Sequence, residues 1–67
     1  GTGLGRKTLA QICAEAGLDE SLALQRLEAA GIRASAQDKT KVLAERYDLN
    51  PMDLLKIMMI PGFRPDA

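Results

Sequence analysis

The chain's pattern predicts an all-α fold of four short helices, arranged as two repeated helical hairpins packed together. Three observations lead there. Displacing the sequence by about 31 residues brings Leu18 onto Leu49, Leu24 onto Leu55, Gly31 onto Gly62 and Arg33 onto Arg64. The same shift pairs Leu9 with Thr40, Ile12 with Leu43, Cys13 with Ala44, Leu27 with Met58 and Ile32 with Phe63. Next, 46% of the residues are hydrophobic, yet Tyr47 and Phe63 are the only aromatics. A core of Leu, Ile, Met and Ala suits helices better than sheets. Finally, residues that start and stop helices fall at the borders of the periodic segments. At 67 residues the chain reads as a single domain, 1–67, near the lower size for an unaided hydrophobic core.

In the first hairpin, 6–32, Thr8 followed by Gln11 has the form of a capping box. Leu9, Ile12, Cys13 and Ala16 then recur at helical spacing until Gly17 offers a left-handed stop. Asp19 caps the second helix, whose apolar face is Ala23, Leu24 and Leu27, and Gly31 with Ile32 behind it ends it. Residues 33–36 are the expected hinge. In the second hairpin, 36–63, Ser35 is placed to cap a helix carrying Ala36, Thr40, Leu43, Ala44 and Tyr47, and Asp48 stands where Gly17 stood. Asn50 then precedes Pro51, a residue suited to the first helical position, and the fourth helix runs until Pro61 and Gly62.

Charge and composition narrow the chemistry. Nine Lys and Arg balance nine Asp and Glu. The balance also holds inside the first unit, Arg6, Lys7, Arg26 and Arg33 against Glu15, Asp19, Glu20 and Glu28. Nucleic-acid binders cluster cations to displace counterions from phosphates, so neutrality counts against that class. One cysteine and no histidine preclude an internal disulfide and leave too few ligands for a zinc site, so no metal or cofactor is expected. No apolar run approaches the ~20 residues of a membrane span. The expectation is a soluble, cytoplasmic domain. The Gly1-Thr2-Gly3 start without an initiator methionine adds the expectation of a piece cut from a longer chain.

Several motifs carry both a sharp and a plain reading. Gly1, Gly3, Gly5, Arg6, Lys7 and Thr8 look like a phosphate-cradling loop, but Arg6 stands where a P-loop needs glycine directly before Lys-Thr. The segment also resembles a helix-hairpin-helix phosphate binder, with Ala10 one residue late; a flexible lead-in to a capped helix is the plainer account. Leu9 to Ile32 resembles a helix-turn-helix, which makes a nucleic-acid binder using residues 19–30 the alternative function. Ala23 and Arg26 depart from its apolar pattern, and Glu20 and Glu28 would face phosphates with the wrong sign. Cys13 falls on an apolar stripe and reads as a small core residue rather than a nucleophile. Without histidine, Ser21 and Ser35 have no activating base, so no catalytic residue is assigned.

Two departures remain. Arg33 and Arg64 each lie just beyond a helix-ending glycine, where a cation complements the helix dipole or, paired, contacts an anion. In the fourth helix, Met52, Ile57 and Met59 replace Ser21, Arg26 and Glu28 of the first unit. That helix is either the most buried one or, with Ile60, presents a Met-rich patch to a protein partner or a second copy.

Taken in order, Gly5-Arg6-Lys7-Thr8-Leu9-Ala10, Cys13, Gly17-Leu18, Leu27, Gly31-Ile32, Ala34-Ser35, Leu43-Ala44, Leu49 and Pro51 define a recognisable pattern. Over residues 3–59 the chain resembles the small soluble helical domain at the carboxyl end of bacterial cytochrome-b-like membrane proteins of unknown function. The resemblance implies an accessory module tethered to, or cut from, a membrane redox protein and working by contact. It brings no catalytic residues, and any haem ligation would belong to the membrane part.

Overall fold

The computed structural model describes residues 3–65. It is all-α: a 3₁₀ turn, Leu4–Arg6, leads into α1 (Leu9–Ala16), α2 (Glu20–Ala29), α3 (Thr40–Arg46) and α4 (Pro51–Met59). The starts of α1 and α3 are 31 residues apart, as are those of α2 and α4. Within each hairpin the two helices pack on one another, and α2 packs against α4 between hairpins.

Local chemistry explains most boundaries. The Thr8 hydroxyl accepts from the Gln11 backbone N–H at 3.2 Å and the Gln11 side-chain Oε1 accepts from the Thr8 N–H at 2.8 Å, closing the capping box. Gly17 adopts φ 68°, which lets the Leu18 N–H reach back to the Cys13 carbonyl at 2.8 Å. The Asp19 carboxylate takes the Leu22 N–H at 3.0 Å to start α2. Asn50 and Asp53 form a reciprocal box at 2.9 and 3.1 Å around Pro51, which needs no N–H at the first helical position.

The third helix departs from expectation, beginning at Thr40 rather than just after Ser35. Ser35 instead closes a turn with Asp38: its N–H donates to Asp38 Oδ2 at 2.8 Å, and its own carbonyl and hydroxyl accept from Asp38 and Gln37 N–H groups. The carbonyls of Ala36 and Asp38 accept the Ala10 and Leu9 N–H groups at 2.9 and 3.0 Å. Those are orphan donors of the first turn of α1. A helix through 36–39 would turn the same carbonyls along its own axis and strip α1 of these partners. In the other direction, the Thr40 N–H donates to the Lys7 carbonyl at 3.0 Å, and Thr8 and Lys39 form an isolated antiparallel bridge.

The expected flexible lead-in is likewise structured from Gly3 onward. Thr40, wholly buried, donates its hydroxyl to the Leu4 carbonyl and holds the 3₁₀ turn against α3. Gly1 and Thr2 of the proposed phosphate loop lie outside the described residues.

One core joins both hairpins: Leu9, Ile12, Cys13, Ala23, Leu27, Ile32, Leu43, Ala44, Leu54, Ile57 and Met58 are buried together. Asp48 ends α3 at φ 58°, the same left-handed region that Gly17 occupies after α1. An Asp there carries a steric penalty that glycine escapes, partly offset by glycine's greater freedom when unfolded. Asp48→Gly is therefore expected to raise stability by up to about 1 kcal/mol, read as an upward shift of the urea midpoint.

Candidate interaction surface on the fourth helix

The outward side of α4 carries the most concentrated exposed apolar surface among the described residues. Met52, Met59 and Ile60 are 47%, 46% and 48% exposed. Met52 and Met59 are seven residues apart, so they share one side of the helix about 10 Å from each other along its axis. Half-buried Leu55 and exposed Lys56 lie between them, and the Lys56 ammonium sits 5.8 Å from the centre of the Phe63 ring. That cation–π contact ties the segment after α4 to the same side of the helix.

Ile57, grouped with these residues in the sequence, belongs elsewhere. Only 2% of it is exposed, and together with Leu54 and Met58 it faces the core. The reason is helical phase: five residues beyond Met52 a side chain has rotated to the opposite side. One face of the fourth helix is therefore buried while the other exposes Met52 and Met59. Leu22 and Val42 are also exposed, on α2 and α3.

At the Met52 end lies an open cleft of about 460 Å³, lined by Gly3, Leu4, Gly5, Arg6, Lys41, Asn50, Pro51 and Met52. The 3₁₀ turn can approach α3 this closely because residue 5 lacks a Cβ; one placed there would stand 3.0 Å from Lys41 Cβ.

Arg33 and Arg64, the candidate anion contact, are engaged differently. Arg64 donates through Nη2 to the Ala29 carbonyl at 3.1 Å and through Nη1 to the Phe63 carbonyl at 2.9 Å, capping the carboxyl end of α2. Arg33 lines a different cavity, and its backbone N–H donates to the Tyr47 hydroxyl at 2.9 Å. Sequence reasoning passed over Arg26, whose Nη1 donates to the Met58 carbonyl at 2.8 Å at the end of α4. Arg26→Met keeps the stem and removes the donor; a loss of about 1 kcal/mol in chemical denaturation is expected.

Cys13 is buried, and burial pushes its thiol pKa up, with the Glu20 and Asp19 carboxylates adding to the shift. The thiolate that a nucleophile needs is disfavoured. Because the folded thiol holds its proton more tightly than the unfolded one, its contribution to stability is complete below the unfolded value of about 8.5 and is lost as pH rises through the folded value. Cys13→Ala is expected to remove that part of the alkaline slope in stability, measured by urea denaturation from neutral to alkaline pH.

The exposed residues of α2 are Glu20, Ser21, Leu22, Gln25, Glu28 and Ala29. This face offers a phosphate backbone two carboxylates and no cation, since Arg26 is turned to Met58. Among the described residues no group of three or more His, Cys, Asp and Glu side chains is arranged to hold a metal, and no helix is long and apolar enough to cross a membrane. No protein-family model, curated protein or solved structure matches the chain.

Proposed function

We propose that this chain is a non-enzymatic protein-interaction domain that binds through the outward face of α4. The observation that carries the reading is the alignment of Met52 and Met59 on one exposed side, with Ile60 at its end, while Leu54, Ile57 and Met58 of the same segment are buried. Isolated exposed apolar residues are ordinary, but several on one helix face leave apolar area that association would remove from water at about 25 cal/mol per Å². Methionine also adapts its shape to a partner surface. The resemblance to the tail domain of cytochrome-b-like membrane proteins supports the same reading, that of an accessory module acting by contact.

The test is site-specific photo-crosslinking in the cell of origin. A crosslinker at Met59 is expected to yield a discrete adduct, with a second copy or with another protein, that a crosslinker at exposed Gln25 does not yield. No adduct at Met59, or the same adducts from both positions, would remove α4 as the binding face.

A further inference from the structure

We infer that the cleft beside Met52 receives an acidic, apolar peptide segment of the protein partner. This rests on the reading of α4 as the binding face and names the chemistry that one end of that face selects. Leu4, Pro51 and Met52 give its lining an apolar part, and exposed Arg6 and Lys41 line it as well. No acidic residue lines the cleft. Lys7, beside Arg6 in the chain, is neutralised by Glu15 at 2.6 Å, whereas neither Arg6 nor Lys41 makes an ion pair among the described residues. Asp53, on the first turn of α4, has its carboxylate engaged by the Asn50 N–H at 3.1 Å.

Two cations in one partly apolar lining attract an anion that carries apolar groups. At about 460 Å³ the cleft has the volume of a binding pocket, and it is shallow and open to solvent, so it suits a segment laid across it rather than an enclosed small molecule. The lining has no aromatic ring on which a nucleic-acid base could stack. Leucine seated on Met52 with a carboxylate to each side would meet both the apolar and the cationic part of the lining. Continuity with the α4 stripe follows from Met52 itself, which belongs to both.

The experiment is a backbone-amide NMR titration of the full 67-residue chain with four probes. These are acetyl-Glu-Leu-Leu-Glu-amide, acetyl-Lys-Leu-Leu-Lys-amide, acetyl-Glu-Ser-Ser-Glu-amide and inorganic phosphate. The acidic leucine peptide is expected to shift Leu4, Gly5, Arg6, Lys41 and Met52 saturably, with the lysine and serine peptides about tenfold weaker or worse. The double variant Arg6→Glu with Lys41→Glu is expected to lower that affinity by about tenfold or more, its fold verified by helical circular dichroism. Equal binding by the lysine peptide, or no saturable shift with the acidic one, overturns the inference. So does unchanged affinity in a folded double variant, or phosphate reproducing the shifts with equal affinity, which would make this a plain anion site. Peptide failure alongside a discrete Met59 adduct sinks the cleft inference alone; absence of the adduct sinks the α4 reading.

Discussion

Ile57→Lys is expected to unfold the domain, while Met59→Lys, two positions away, leaves it folded. Ile57 is 2% exposed and packs in the core shared by both hairpins, with no carboxylate in that cluster to receive an ammonium group. Burying an unpaired charge costs several kcal/mol even after relaxation. A chain of this length has roughly 3–10 kcal/mol in total, taking about 0.05–0.15 kcal/mol per residue. The lysine therefore consumes most or all of the margin. At Met59, 46% exposed, the long stem can lie along the surface with its charge in water, and the change in stability should be within about 0.5 kcal/mol. Circular dichroism melts of the two variants decide the matter; comparable melting temperatures would mean that the faces of α4 are wrongly assigned.

Leu27→Ala is the second large effect. Leu27 is fully buried in the last turn of α2, the helix that packs on both α1 and α4, and its carbonyl accepts the Ile32 N–H at 2.9 Å. Truncation leaves a cavity bounded by elements of both hairpins, and such substitutions cost about 2–5 kcal/mol. Urea denaturation should show a midpoint lowered by at least about a fifth of its value, given the same total margin. Leu22→Ala on the same helix, at 42% exposure, should change it little. Equal losses at both positions would mean that α2 does not bury the face assigned to it.

Much of the fold was readable in the residues because its signals are local. Thr8 with Gln11, Asp19, and Asn50 with Pro51 each announce a helix start through groups no more than three residues apart. Gly17 and Gly31 announce stops through a backbone region that they enter without penalty. Ser35 misled because the same side chain serves equally well in a turn, and the deciding partners, the N–H groups of Leu9 and Ala10, lie more than 25 residues away. Thr40 falls on the helical stripe of the third helix, and nothing near it in sequence signals the hydroxyl's bond to the Leu4 carbonyl. For the candidate surface, Met52 and Met59 could be picked out by comparing the two halves of the chain. Comparison alone could not separate Ile57 from them, since phase within a helix gains meaning only once the buried side is known. Arg26 and Arg64 act on carbonyls 32 and 35 residues distant, beyond any local pattern.

The loop carbonyls that cover the start of α1 have a consequence for folding order. First-turn amides of a helix ordinarily exchange with solvent early, having no partner within their own helix. Here the Leu9 and Ala10 amides are held by residues 38 and 36, so their protection begins only when the chain's second half has arrived. Their exchange rates therefore gauge docking between the halves, and a fragment ending before Ser35 should leave both amides open even where helical structure persists.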